Sequence, residues 1–182
     1  LHLLIWLISK ALPLQLPFAK IAMITLVASC LTVTFGSLNA FRPVVRSEKI
    51  ITNKLPAGTS YKLALISDVH LGRILGRSYA EKLTQRLNEL QPDAVLIAGD
   101  LIDERIAYVE EENSLAALAK LTAPKGVFLA FGNHEYIDDP KKKKKMVEAN
   151  GIRVLRDAST IIDGKLKITG LNDFRYSKGK GP

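Results

Sequence analysis

Three apolar runs each end in a short polar motif, and the spacing between the motifs is nearly constant. The motifs are Ser67-Asp68-Val69-His70, Gly99-Asp100-Leu101-Ile102-Asp103 and Gly132-Asn133-His134-Glu135. Asp68 and Asp100 lie 32 positions apart, and Asp100 and Asn133 lie 33 apart. Each interval fits one strand–helix–strand unit, so the pattern predicts a largely parallel sheet with right-handed crossovers. Loops beyond the carboxyl ends of such strands are where open α/β sheets bind ligands. The chain is therefore expected to gather two Asp, one Asn and two His at one sheet edge.

The intervening elements follow from local pattern. Residues 61–67, 93–98 and 126–131 read as core strands, and the β-rich run 44–52 reads as an edge strand paired with the first. Ser78-Tyr79-Ala80-Glu81 has the form of a capping box, followed by Leu83, Leu87 and Leu90 at helical spacing. Gln91-Pro92 ends that helix. Residues 109–121 predict a second helix closed by Pro124. Residues 139–150 predict a third, with Gly151 at its C-terminal end. Residues 152–155, 159–162 and 165–170 read as three further short strands.

The N-terminal region has a different character. Residues 21–41 hold no charged side chain and are bracketed by Lys20 and Arg42. At 1.5 Å per residue the run is about 31 Å long, close to the hydrocarbon thickness of a bilayer. A signal peptide competes with this reading, but the run exceeds the ~7–15 apolar residues of a signal core. A retained transmembrane helix is expected over 21–41. Residues 1–20 then read as the end of an earlier span plus a loop, and 42–60 as linker and edge strand. Arg42, Arg46, Lys49 and Lys54 outnumber Lys10 and Lys20, which favours a cytoplasmic soluble domain.

Charge and cysteine add limits. A net charge of +8 is compatible with nucleic acid or an anionic membrane. Basic flanks and the lysine run 141–145 account for it, and no nucleic-acid partner is expected. Five adjacent lysines spread around a helix, so the run reads as a solvated helix start with at most a modest attraction to lipid head groups. Cys30 is the single cysteine, which excludes an intramolecular disulfide.

The motif residues suggest metal chemistry. Asp68 and His70 are two apart just past a strand, so both can reach one cation. A carboxylate with an imidazole suits Mn, Fe or Zn better than Ca or Mg. Gly99 allows a sharp turn, and the two oxygens of Asp100 can bridge two ions. Asp103 reads as a cap or support of its loop. Asn133 offers a neutral oxygen, and His134, pointing the other way, can face a substrate. Each residue alone has a commonplace alternative, since such an Asp often caps a helix and a lone His often packs. The joint spacing favours the site.

Together D-V-H, G-D-L-I-D and G-N-H-E resemble the first three signature blocks of the calcineurin-like metallophosphoesterases, over about residues 62–173. The resemblance implies an α/β/β/α sandwich for 61–182, preceded by the membrane helix. It implies that Asp68 and His70 bind a first divalent metal, Asp100 bridges two, and Asn133 binds the second. His134 would contact the phosphate and protonate the leaving oxygen. Two ions (Mn, Fe or Zn) would supply a bridging hydroxide to cleave a phosphate ester or pyrophosphate.

The span and the Phe41-Arg42-Pro43-Val44 junction resemble the membrane-anchored bacterial branch. That implies an inner-membrane location and a lipid-linked substrate such as a UDP-diacylglucosamine-type lipid A precursor. The family then supplies a further lone His and a Gly-His-x-His block, whereas no histidine follows His134. The chain begins with Leu and ends without a terminal element pattern. It is expected to be the N-terminal part of a longer protein, with the second half of the sandwich truncated, and inactive alone. Gly170-Leu171-Asn172-Asp173 resembles a family segment in which Asp173 lines the site or makes a turn. Two alternatives remain: a non-catalytic metal- or phosphate-binding membrane protein, and a membrane scaffold with a decayed enzyme domain. The three intact motifs argue against decay.

Overall fold

The computed structural model describes residues 3, 4, 6, 7, 17–40, 43–103 and 105–176. The chain forms two units, residues 1–51 and 52–182. In the first, helix α1 runs Phe18–Ala40. Its stretch Phe18–Asn39 has a mean hydropathy of 2.0, and only 6% of its most apolar 18-residue window is buried. The core helix of a soluble protein would be mostly covered. Thr25 and Thr32 donate their hydroxyls to the carbonyls of Ile21 and Ala28 one turn back. Their polarity is thus satisfied inside the helix, as a hydrocarbon environment requires. Among the described residues this is the one helix long and apolar enough to cross a membrane. The expected earlier span at 1–8 and its loop at 9–20 lie largely outside the described residues.

The expected edge strand at 44–52 does not form. Val44, Ile50 and Ile51 are more than four-fifths exposed, at 83%, 87% and 86%. β-branched residues favour strands by packing on a half-buried pleated surface. Here there is no such surface, so the composition has nothing to act on.

The second unit is built on a four-stranded sheet: β1 Leu63–Ile66, β2 Ala94–Ala98, β3 Val127–Ala130 and β4 Ile152–Leu155. All neighbours are parallel, in the order β1-β2-β3-β4. Ile66 pairs with Ile97, Ala98 with Ala130, and Ala130 with Leu155. The carboxyl ends are therefore level, and the loops after β1, β2 and β3 open side by side. Sequential strand order without reversal puts same-handed crossovers on one face.

The crossovers are α2 Arg77–Glu89, the pair α3 Ile106–Glu111 and α4 Ser114–Leu118, and α5 Pro140–Ala149. Ala80, Leu87, Val109, Leu115, Leu118 and Val147 bury against Val95, Ile97 and Leu129 of the sheet. The opposite face is covered in part by an antiparallel hairpin, β5 Ala158–Ile162 and β6 Leu166–Gly170. Ile162 packs there with Ala94, Phe128 and Leu155. β1 is an edge strand, and its Leu65 stays 69% exposed.

Two helix expectations need correction. The helix expected over 109–121 is two short helices, broken where Asn113 takes a left-handed conformation with φ 50°. Asn tolerates that region better than most residues. The capping box at Ser78 is not used: α2 starts at Arg77 with Gly76 as its cap and no side-chain capping bond. By contrast α5 has a complete N-terminus. Asp139 accepts hydrogen bonds from the amides of Lys141 and Lys142 at 2.9 and 3.0 Å, and Pro140 fills the first helical position. Gly151, at φ 80°, follows its C-terminal end.

Candidate metal centre

The site begins with two glycines set back to back. A Cβ on Gly99 would lie 2.9 Å from the Gly132 Cα, and a Cβ on Gly132 would collide with Oδ1 of Asp100. Only glycine at both positions lets the loops after β2 and β3 touch through their backbones.

Glu135 then stitches these loops together. Its side chain is fully buried. One oxygen accepts the amides of Asp100 and Gly132, each at 2.8 Å. The other accepts the amides of Leu101 and Ile102, at 2.8 and 3.1 Å. Four backbone donors that the sheet cannot satisfy thus share one carboxylate. Asp100 is held in turn, because its Oδ1 accepts the amide of His134 at 2.9 Å.

The loop after β1 is attached through its backbone, with Val69 and Leu71 buried beneath it. The amides of Asp68 and His70 donate to the carbonyls of Gly99 and Asp100 at 3.2 and 2.9 Å. Asp68, His70 and Asp100 all take left-handed backbone conformations, with φ of 53°, 50° and 54°. Non-glycine residues in that region carry a cost and cluster at functional sites.

These loops bring the side chains together. Oδ1 of Asp68 lies 3.9 Å from Nε2 of His70. Ligand atoms of Asp68, His70 and Asp100 all fall within 4.8 Å of one another, as do those of His70, Asp103 and His134. Oδ1 of Asp103 sits 3.3 Å from Nδ1 of His70 and 2.9 Å from Nδ1 of His134. The second approach is within ion-pair range but is not aligned as a hydrogen bond, so His134 Nδ1 is buried without one. The two rings meet edge to face, 4.5 Å between centroids. Asn133 lies on the same loop, and its side chain makes no hydrogen bond among the described residues, which leaves its amide oxygen unengaged.

A divalent ion suits this donor set. Bonds of ~2.0–2.2 Å to nitrogen and oxygen can together span a separation of up to about 4.2 Å. The 3.9 Å between Asp68 Oδ1 and His70 Nε2 is within that reach. Asp68 and Asp100 crowd two carboxylates together, and neither has a Lys or Arg ion pair among the described residues. A cation would relieve that repulsion.

Sequence reasoning missed three contributions. Asp103, expected as a cap or loop support, meets two imidazoles instead. Glu135 received no role. The lysine run, expected to be solvated throughout, contains a fully buried member: Lys143 is 0% exposed, while its four neighbours in the run are exposed. Burial pushes its ammonium below the usual lysine range, opposed first by Glu135 and then by Asp138, Asp103 and Asp100. Asp173 takes the turn role: its Oδ1 accepts the amide and Nε of Arg175 at 2.9 and 3.3 Å.

Metal-type donors thus stand on the loops after three successive strands of one sheet, and sequence comparison gives the family. The profile of the calcineurin-like phosphoesterases matches residues 61–179, and the chain belongs to that family. Three relatives illustrate its range. The chain is 30% identical to a zebrafish transmembrane protein with a metallophosphoesterase domain, over 74% of this chain and 31% of that protein. It is 38% identical to a Caenorhabditis elegans protein named as a metallophosphoesterase, over 77% of this chain and 30% of the other. It is 33% identical to an uncharacterised metallophosphoesterase of Aquifex aeolicus, over 76% of this chain and 52% of that protein. The chain thus spans about a third to a half of the length of these relatives, which come from animals as well as bacteria.

Proposed function

We propose that the protein is a membrane-anchored, metal-dependent phosphoesterase that hydrolyses a phosphate ester or pyrophosphate. One observation above all supports this: ligand atoms of Asp68, His70 and Asp100 converge within 4.8 Å, on a chain of the calcineurin-like family. In this reading Asp68 and His70 hold one divalent ion, Asp100 offers an oxygen to two, and Asn133 holds the second. Mn, Fe and Zn suit the donors. Bound ions of this kind neutralise phosphoryl charge and make water nucleophilic at neutral pH.

The chain's own residues do the rest. Asp103, 2.9 Å from Nδ1 of His134, holds that side of the ring inward, so that Nε2 is the nitrogen left to face a substrate. With a proton on Nε2, His134 gives that proton to the leaving oxygen and is left with Nε2 unprotonated, a contribution of roughly 10²–10⁴ in rate. Glu135 fixes Asp100 against the peptide of His134, so that ligand and acid keep one geometry.

The exposed, apolar α1 and the transmembrane relative support a membrane location. The basic residues after α1 support a cytoplasmic face, with the bacterial inner membrane as the proposed site. The resemblance to the membrane-anchored branch suggests, as the finer part of this proposal, a lipid-linked substrate of the UDP-diacylglucosamine type. A second reading is a metal- or phosphate-holding membrane protein without turnover.

Hydrolysis of bis-p-nitrophenyl phosphate with added Mn²⁺ separates the two readings. The full-length protein is expected to turn it over, and the 182-residue chain to bind Mn²⁺ without turnover. Absence of hydrolysis by the full-length protein across several metals and esters, with Mn²⁺ still bound, would establish the binding reading. Supplying a UDP-diacylglucosamine-type lipid in detergent tests the substrate class.

A further inference from the structure

Lys143 is the member of the lysine run that the proposed chemistry does not use. Its Nζ donates to the carbonyl of His134 at 2.8 Å and to that of Asp103 at 3.2 Å. The placement is doubly unfavourable on general grounds. Lysine is almost never fully buried unless paired, and a cation in the first turns of a helix opposes the positive end of its dipole. Lys143 lies four residues beyond the cap Asp139, in α5. Val147, one turn further on, is fully buried as well, so position 143 belongs to the core-facing side of α5. A leucine there would bury without cost. What the ammonium meets is two carbonyls from two loops, those of Asp103 and His134.

Those carbonyls belong to the two residues whose side chains face one another, Asp103 Oδ1 and His134 Nδ1 at 2.9 Å. The rest of the loop after β2 is tied to the loop after β3 through Glu135, which bonds no residue beyond Ile102. Asp103 lies just past that stitch. We propose that Lys143 is a positioning residue: by clamping the carbonyls of Asp103 and His134 it holds carboxylate and imidazole in register, without touching substrate. The proposal rests on the phosphoesterase reading for its kinetic consequence and on geometry alone for its structural one.

The test compares Lys143→Met, which keeps the length and removes the donors, with Lys143→Arg, which keeps a cation. In the full-length protein K143M is expected to lower kcat for bis-p-nitrophenyl phosphate roughly tenfold or more, as small misplacements of catalytic groups do. KM and Mn²⁺ affinity should stay within about twofold, and K143R should recover part of the rate. With three histidines in the chain, ¹⁵N-histidine labelling gives a second readout. K143M should shift or broaden the His134 ring signals and leave those of His2 unchanged.

Unchanged ring signals together with unchanged kcat per folded molecule would overturn the proposal. So would a loss of activity that merely tracks the unfolded fraction. If K143M fails to fold, Lys143→Leu, which also removes the donors, takes the same two readouts. Ring perturbation in a protein that hydrolyses nothing would uphold the clamp and overturn the phosphoesterase reading. Normal hydrolysis with undisturbed rings would do the reverse.

Discussion

The loops after β2 and β3 and the loop after β1 contribute to one site but are built differently. The first two touch through glycine backbones and share a buried carboxylate that takes four amides. The third is hung on backbone bonds from Asp68, His70 and Leu71, and the Asp68 side chain is 67% exposed. The stitched loops have their geometry set by the protein itself. The hung loop is held by its backbone and by the burial of Val69 and Leu71, and its Asp68 carboxylate stands exposed. A metal site assembled this way has one wall tied through a buried carboxylate and one wall tied through its backbone.

Substitutions can break or sharpen that contrast. The largest effect is expected from Glu135→Gln, which replaces an acceptor with a donor facing buried amides. A loss of about 3–5 kcal/mol in urea unfolding is expected, as for other broken buried networks. A loss below about 1 kcal/mol would mean that the stitched wall is not rigid. Next comes Gly132→Ala, whose methyl meets the Asp100 carboxylate. It should cost about 1–3 kcal/mol and weaken Mn²⁺ binding in calorimetry.

A smaller effect concerns α5, which carries Lys143. Hydrogen bonding to the amide of Lys142 holds the Asp139 carboxyl below its ordinary value, with the Lys141 amide adding to it against desolvation. A depressed folded value means that this stabilisation is complete above the ordinary aspartate range. It is lost as the pH falls through the folded value, below about pH 4. Thermal unfolding of Asp139→Ala should therefore differ from the parent at pH 7 and converge with it in acid. The smallest change in stability is expected from Asp68→Asn, within about 0.5 kcal/mol, because Asn keeps the left-handed backbone. Its Mn²⁺ affinity should nevertheless fall by roughly tenfold or more, seen by electron paramagnetic resonance. Stability and binding would then separate on the hung wall and move together on the stitched one.

What the sequence disclosed follows the same division. The strands and their level ends were readable because each is a short apolar run closed by a motif, and that pattern is local. The break at Asn113 was not readable, because apolar periodicity reports which face is buried and not whether the helix is continuous. The run 44–52 misled because strand composition does not supply a partner. Asp68, His70 and Asp100 announced themselves through motif and spacing. Asp103, Glu135 and Lys143 act on groups about 30 residues away or on another element, so only the folded chain reveals them.

Two of the three left traces. Lys143 falls one turn before Val147 on the buried side of α5, which conflicts with a solvated lysine. The amides of Asp100, Leu101 and Ile102 sit in a loop without sheet partners, and an acid three residues past Gly132 is a natural acceptor.

The bare side of β1 has a practical consequence. Among the described residues no strand pairs with its outer edge, and Leu65 is 69% exposed. Such edges recruit strands from neighbouring molecules. For the 182-residue chain taken by itself, association through that side is expected to rise with concentration and to occlude first the strand that leads to Asp68 and His70.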